Sequence, residues 1–273
     1  MEESSVQNGT KEIRLDSWHE FFQLTTDLFA TGPAYVYRGQ TNYAWPLTTS
    51  LDRLESRYPH RKNLSGGVPD FFTSPPFTEE EHLNAFKRAI RGRRGSNPPP
   101  LTTENDYWAL AQHHGLATPL LDWTRSPFVA LFFAFEEEKC LVADHRWAEP
   151  DYRGVYILST SSIDAVGTDV TARVEVVSPE SDDNYRLISQ NALFVRLPRK
   201  TDLKSYVETH FAGQSNSATF IAIKIPNSDR DGCLVALNKM NINHMTLFPD
   251  IDGAAKHVNS LWRPGHEDSI AWV

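Results

Sequence analysis

Residues 107–135 read YWALAQHHGLATPLLDWTRSPFVALFFAF, and this stretch holds the longest apolar run of the chain. Its apolar run at 128–135 is too short to span a bilayer. It predicts a strongly apolar helix over 127–138 that begins near Pro127, since proline is favoured in the first turn. Two histidines, two threonines, an aspartate and an arginine stand just before this helix. These polar groups are either hydrogen-bonded parts of a core or the lining of a pocket that does chemistry.

Helical patterns dominate the first half of the chain, and strand patterns dominate the second. Apolar spacing and capping residues predict further helices at 16–30, 78–94 and 103–115. Runs of β-branched and aromatic residues predict strands at 34–40, 154–160, 173–178, 192–198 and 218–226. Short helices are expected at 202–211 and 229–241. This order predicts an α+β fold, with a helical N-terminal half packed on a mainly antiparallel sheet.

The length of 273 residues allows one large domain. We expect that domain at 16–265, between a polar, flexible N-terminus at 1–15 and a tail at 266–273. Residues 57–79 carry proline, glycine and serine with scattered charge, so they are interpreted as a loop or an insertion.

Composition excludes several classes of function. The net charge of −8 argues against a basic field over the whole protein, although a local basic groove stays possible. Two cysteines without CxxC spacing argue against a disulfide scaffold or a zinc ribbon. The N-terminus lacks the pattern of a signal peptide, so we expect a cytoplasmic protein. There is no glycine-rich dinucleotide turn and no P-loop.

Arg38 stands near the end of an apolar predicted strand. A guanidinium in a core needs a carboxylate, a phosphate or several carbonyl oxygens. Arg38 is therefore either a structural arginine paired with a buried Asp122, or a fork that grips an anionic ligand such as a phosphate. Gly39 would let a ligand or another backbone approach closely.

The polar residues before the apolar helix also allow two interpretations. Asp122 or Thr124 is expected to cap that helix. His113 and His114 are adjacent on a predicted helix, so at most one of them faces a given pocket. Each is an ordinary core or surface histidine or a proton carrier. The spacing of this pair to Asp122 is not that of a metal site, and we expect no metal.

Three further segments carry polar patterns. Arg186 and Gln190 are four residues apart and would share a helical face. The turn at 248–253 leads into a helix, for which Asp250 or Asp252 is the expected cap. The basic run at 87–94 is either the solvated end of a helix or a surface that meets phosphates.

Together these segments resemble the FRG domain family, named for a Phe/Tyr-Arg-Gly motif. The segments that match, in the family's order, are YRGQ, the run that contains Trp45, Leu47 and Arg53, AQHHGLATPLLDWTRSPFVALFFA, NYRLISQNALF and LFPDIDGAA. The resemblance covers roughly residues 20–260.

A second resemblance is to the first two motifs of ADP-ribosyltransferases, and it implies a split sheet and NAD as a substrate. The NAD-binding residues that it implies are Arg38, Gly39, Gln40, Thr118, Trp123 and Arg125. In that fold a late glutamate supports the cationic sugar. Here the matching position is Gln190, which cannot act as a general base. The catalytic candidates are therefore His113, His114, Asp122, Gln190 and Asp250.

Two hypotheses from different classes follow. The first is an NAD-using enzyme that transfers ADP-ribose to a nucleic acid or a protein, or hydrolyses NAD. The family's scattered, often mobile-element setting implies a toxin or antiphage effector. The second is a non-catalytic module that binds a nucleotide, a nucleic acid or a protein through the same Arg38 site. An enzyme needs a carboxylate or a histidine beside the pocket that Arg38 lines, whereas a binding module does not.

Overall fold

A computed structural model describes residues 1–31, 34–58, 78–141, 146–167, 172–179 and 185–263. Most of the predicted loop at 57–79, and the whole tail at 266–273, lie outside the described residues. The strands are β1 (Glu2–Glu3), β2 (Thr10–Arg14), β3 (Tyr35–Gln40), β4 (Leu120–Thr124), β5 (Cys140–Leu141), β6 (Trp147–Ala148), β7 (Tyr152–Ser159), β8 (Glu175–Val177), β9 (Ala192–Arg196) and β10 (Phe220–Pro226).

The helices are distributed between the strands along the chain. They are α1 (Glu20–Thr31), α2 (Ser50–Arg57), α3 (Glu79–Ala89), α4 (Glu104–His113), α5 (Pro127–Phe135), α6 (Thr160–Asp164), α7 (Tyr185–Ser189), α8 (Leu203–His210), α9 (Arg230–Lys239), α10 (His244–Leu247) and α11 (Ile251–Ser260). The predicted α+β class is confirmed.

Eight strands form one sheet in the order β1-β2-β10-β7-β3-β4-β9-β8. Its pairs are antiparallel except for β2 and β10, which are parallel. The strands β5 and β6 form a separate pair. One face of the sheet is covered by α1, α5 and α9, and the other face packs against α8. The mainly antiparallel sheet is as predicted.

The first fifteen residues do not form the flexible terminus that the sequence predicted. β2 pairs with β10 over five residues, and Ile13 and Leu15 are buried. These two apolar residues alternate with charged ones, which is the pattern of a strand with one buried face. The prediction was wrong because the short alternation stands among many polar residues.

The segment before α5 is a strand and not a turn. β4 pairs with β9 over five residues, from Leu120 to Thr124. Helix α5 is capped by Ser126, whose hydroxyl accepts a hydrogen bond from the backbone N–H of Val129 at 3.4 Å. The expectation that Asp122 or Thr124 caps this helix is therefore wrong.

The sheet parts between β3 and β4. These two strands are in register at one pair of described residues, Tyr37 and Thr124, whereas β3 and β7 pair over six. Beyond Tyr37 the two strands share no further ladder pair among the described residues, although both belong to the same eight-stranded sheet. We call this break in the pairing the parting of the sheet.

Gly39 brings β3 against α5 at the edge of the parting. A Cβ atom at this position would lie 1.9 Å from the carbonyl oxygen of Ala130 and 2.6 Å from the backbone nitrogen of Ala134. Both distances are far shorter than a van der Waals contact, so no side chain fits here. The close approach that Gly39 permits is that of a helix backbone.

Candidate functional site

A cleft of about 790 Å³ opens where β3 and β4 separate. Its floor comes from the ends of these two strands, and α2 and the end of α5 form two of its walls. Its volume lies within the range of about 300–1,000 Å³ that is usual for small-molecule sites. The polar and charged residues that line it are Arg38, Gln40, Thr41, Arg53, Arg57, Asp122, Thr124, Glu136, Glu137 and Gln190.

Arg38 spans the parting of the sheet. Its Nη1 donates a hydrogen bond to the backbone carbonyl oxygen of Asp122 at 2.6 Å. Its Nε is fully buried and has no hydrogen-bond partner among the described residues. Burial lowers the pKa of this guanidinium, and the charge of Asp122 partly opposes the shift. Nη1 thus holds Arg38 in place, while its Nε–H remains free, within the described part of the chain, to donate a hydrogen bond.

Two more arginines face the same cleft from α2. Arg53 and Arg57 are four residues apart and therefore lie on one side of the helix. Nη1 of Arg53 donates to the backbone carbonyl of Thr48 at 2.5 Å. Burial lowers the pKa of Arg53, and the charge of Arg57 lowers it further. The repulsion between these neighbours would be relieved by an anion.

The cleft arginines differ from three other arginines of the chain, which form ion pairs. Arg186 pairs with Asp250, Arg196 with Glu79, and Arg199 with Asp52 and Glu55. In the part of the chain that the structure describes, Arg38, Arg53 and Arg57 have no carboxylate within ion-pair distance. Clustered arginines without acidic partners are a typical binding site for phosphate.

Asp122 is held at the cleft by a chain of hydrogen bonds that begins in the core. The hydroxyl of the buried Thr118 donates to Oε1 of Gln112. Nε2 of Gln112 donates to Oδ1 of Asp122 at 2.7 Å. The amide of Gln112 is thereby oriented from both ends, and it fixes the side chain of Asp122. Since Asp122 is exposed, it is not the buried ion-pair partner of Arg38 that the sequence allowed.

Glu136 is a second carboxylate of the cleft and follows directly after α5. Its Oε1 accepts hydrogen bonds from Nε2 of His244 at 3.0 Å and from Nζ of Lys256 at 3.2 Å. Burial alone would raise the pKa of Glu136, but the bonds from His244 and Lys256 lower it below its ordinary value. No hydrogen bond to Oε2 occurs among the described residues. Glu136 is thus a fixed negative charge in a largely buried position.

Aromatic side chains also line the cleft. Trp45 and Trp147 are 39% and 73% exposed, which is unusual for tryptophan. Gln40 shapes the loop that carries Trp45, because its Nε2 donates to the backbone carbonyls of Asn42 at 3.1 Å and of Trp45 at 2.8 Å. Phe133 and Phe248 belong to the same lining. Exposed aromatic rings suit a flat ring of a ligand.

The structure brings about half of the predicted site residues together. Those that line the cleft are Arg38, Gly39, Gln40, Asp122, Trp123 and Gln190. Nε2 of Gln190 donates to the backbone carbonyl of Leu247 at 3.0 Å, and the backbone carbonyl of Gln190 accepts from the hydroxyl of Thr124 at 2.6 Å. Gln190 therefore ties the base of the cleft together.

The other predicted residues lie elsewhere. Thr118 is buried and does not line the cleft. Nη2 of Arg125 donates to Oγ of Ser178 at 3.3 Å. Asp250 caps α11 and binds Nε of Arg186 at 2.8 Å; its backbone bond from Gly253 and its bond from Arg186 lower its pKa. His113 and His114 both line a different groove, so the prediction that at most one of them faces a given pocket is wrong. The helical argument fails because α4 ends at His113 and His114 lies beyond it.

Among the cleft residues that were not predicted as site residues are Arg53, Arg57 and Glu136. Arg53 belongs to a run that resembles the FRG family, but no role was predicted for it. The spacing of Arg53 and Arg57 was available as a signal, since residues four apart share a helical face. The signal for Glu136 is its place as the first charged residue after the apolar run. Its partners His244 and Lys256 are more than a hundred residues away, so no local pattern indicates them.

Comparison with known proteins gives one match, the family model described as the FRG domain, over residues 33–141. The chain contains an FRG domain. This FRG segment runs from just before β3 to the end of β5, so it carries Arg38, Arg53, Arg57, Asp122 and Glu136. No curated protein and no solved structure matches the chain. No match links the chain to ADP-ribosyltransferases, and that resemblance stays a prediction.

The FRG segment does not complete the cleft alone. Later parts of the chain supply the sheet strands β7, β9 and β10. They also supply four residues of the cleft lining, which are Trp147, Leu187, Gln190 and Phe248. The resemblance read from the sequence, over roughly 20–260, is thus supported by the family model for its first part. In the part of the chain that the structure describes, no helix is long and apolar enough to cross a membrane.

Proposed function

We propose that the cleft binds NAD and that the protein cleaves the bond between nicotinamide and ribose. The observation that carries the proposal is Arg38, fixed at the parting of the sheet with an unpartnered Nε and with Arg53 and Arg57 beside it. Three arginines without carboxylate partners suit a diphosphate, which spreads two negative charges over several oxygens.

The rest of the cleft suits the other parts of NAD. The exposed rings of Trp45 and Trp147 offer stacking surfaces for a base or for the positively charged nicotinamide ring. A sheet that parts beside an arginine is also what the predicted ADP-ribosyltransferase-like split sheet would require. This second point is an analogy of fold and supports the proposal less than the arginines do.

Glu136 provides the group that distinguishes an enzyme from a binding module. When the glycosidic C–N bond breaks, its electron pair goes to the ring nitrogen and neutral nicotinamide leaves. Positive charge develops on the ribose, and a fixed carboxylate lowers the energy of that state. The lowered pKa of Glu136 keeps it ionised, so it acts through its charge and not as a base. Water or another nucleophile then bonds to the ribose carbon and loses its proton to solvent.

The test is incubation of the purified protein with NAD, followed by mass spectrometry for free nicotinamide, together with melting curves in the presence of NAD. Glu136→Gln should keep the thermal shift by NAD but lower nicotinamide release by about 100-fold, as for loss of one electrostatic group. Arg38→Ala should lose both. Glu138→Gln, which removes the same charge two residues away and outside the cleft, is the matched control and should behave as wild type.

The outcomes separate the hypotheses. Nicotinamide release that survives Glu136→Gln would remove this residue from the chemistry. A thermal shift without release by the wild type would favour the alternative, a non-catalytic module that binds nucleotides. If NAD causes neither a thermal shift nor nicotinamide release, NAD is rejected as the ligand. An NAD-consuming activity would fit a toxin or antiphage effector, because loss of NAD stops the metabolism of a cell.

A further inference from the structure

A second groove, of about 510 Å³, lies beside the cleft, and we call it the basic groove. Half-buried apolar side chains form its floor, and basic side chains form its rim. The floor residues are Phe86, Ile90, Leu101, Leu110 and Leu187, and the rim residues are Arg93, Arg94, His113 and His114. No acidic residue belongs to this lining within the described part of the chain.

The end of α3 and the turn after it extend the positive charge of the rim. Residues 87–94 read KRAIRGRR, with five basic residues and no acidic one, in a chain whose net charge is −8. Among the described residues, Arg88, Arg91, Arg93 and Arg94 have no carboxylate partner. Lys87 lies over the ring of Tyr107 at 4.7 Å. A cluster of unpaired positive charges on a protein of negative net charge favours an anionic polymer over a neutral partner.

The basic groove adjoins the cleft across α7. Leu187, in the middle of this helix, lines both. Residues on either side of it stay exposed: Tyr185 is 71% and Ile188 is 66% exposed. A polymer that lies in the basic groove therefore lies next to the cleft.

The form of the groove indicates which anion fits. A phosphate alone would need only the rim, whereas the apolar floor also accommodates a flat ring. The rings of His113 and His114 stand edge to face, 5.0 Å apart, at the exposed rim. Phosphates that alternate with accessible flat bases are the property of a single-stranded nucleic acid, which basic grooves with stacking surfaces bind.

We propose that the basic groove binds single-stranded nucleic acid as the acceptor of the ADP-ribose that the cleft releases from NAD, a role that rests on the proposed function. In the transfer, an oxygen or nitrogen of the nucleic acid forms a bond to the ribose carbon. The bond to nicotinamide breaks, nicotinamide keeps its electron pair, and the acceptor's proton passes to solvent.

Binding is tested first, without NAD, by fluorescence anisotropy with short labelled oligothymidylate and oligouridylate. We expect binding by the wild type at about 50 mM salt that weakens steeply towards 200 mM. Arg91→Gln with Arg93→Gln should lower the affinity at least about tenfold and reduce the slope against salt by about 1.4, since each phosphate contact contributes about 0.7 for a single strand. Arg14→Gln with Lys139→Gln removes the same charge elsewhere and should leave the affinity within about twofold of wild type.

Transfer is tested next, with NAD and the same oligonucleotides, by mass spectrometry of the nucleic acid. The Arg91/Arg93 variant should keep nicotinamide release and the thermal shift by NAD but lose the adduct on the oligonucleotide. If the wild type releases no nicotinamide from NAD, the proposed function and the acceptor role are both rejected, while the result on oligonucleotide binding still stands. No oligonucleotide binding, binding that ignores the Arg91/Arg93 change, or equal binding of a polyglutamate peptide would overturn the proposal for the groove.

Discussion

Arg38 and Asp122 meet across the parting of the sheet, and they meet through the side chain of one and the backbone of the other. The guanidinium of Arg38 donates to the carbonyl oxygen of Asp122 at 2.6 Å, while the carboxylate of Asp122 binds Gln112 instead. The side chain of Asp122 is thus not what holds Arg38. The two residues can be changed separately.

Asp122→Asn should leave the fold intact because asparagine keeps both the backbone carbonyl and an oxygen that can accept from Gln112. We expect the free energy of unfolding to change by no more than about 1 kcal/mol, as for most exposed positions. Arg38→Ala removes the donor to the carbonyl and should destabilise the protein more. Urea unfolding of both variants measures this, and an equally large loss in Asp122→Asn would mean that an ion pair holds Arg38 after all.

The hydroxyl of Thr118 orients Gln112, and through it Asp122. Thr118→Val keeps the shape of the side chain but removes the donor to Oε1 of Gln112 and the acceptor of the buried N–H of Leu120. We expect a loss of about 1–3 kcal/mol in the free energy of unfolding, the usual penalty for buried unpaired polar groups. Thr118→Ser retains the hydroxyl and should recover most of this stability. Equal losses in the two variants would show that the methyl group matters and the hydroxyl does not.

The sequence predicted the elements of this fold better than the site. Local patterns identified β3, β7, β9 and β10 and the apolar helix α5, because burial on one or both faces leaves a periodic trace. β4 was missed because its five residues, LLDWT, mix an aspartate that faces the cleft with four buried residues, so neither alternation nor an apolar run is visible.

Site residues were predictable only where one segment carried the signal. Arg38 stood out as a charge in an apolar strand. Glu136 did not, because its role depends on His244 and Lys256, which the fold brings to it from distant α10 and α11. His113 and His114 drew attention by their rarity in sequence, but the direction of α4 turns them to the basic groove.

Gly39 is required by packing, and this can be separated from ligand binding. Gly39→Ala would place a methyl group 1.9 Å from the carbonyl oxygen of Ala130, so α5 must move away from β3. We expect a loss of about 1–3 kcal/mol or more in the free energy of unfolding, as for overpacked cores. Gly167→Ala is the control, since a Cβ there meets no atom within 4 Å. A stable Gly39→Ala protein that has lost only NAD binding would instead assign this glycine to the ligand.

The network of Glu136 should make stability depend on pH in acid. The pKa of Glu136 is lower in the folded protein than its ordinary value of 4.5. A carboxylate with a depressed pKa stabilises the fold fully above its unfolded value, and this contribution is lost as the pH falls through the folded value. The difference in unfolding free energy between wild type and Glu136→Gln should therefore shrink from pH 5.5 to pH 3.5. Lys256→Gln keeps the carboxylate but removes one partner, so it should retain part of the effect. A difference that stays constant over this range would show that Glu136 contributes through its shape and not through its charge.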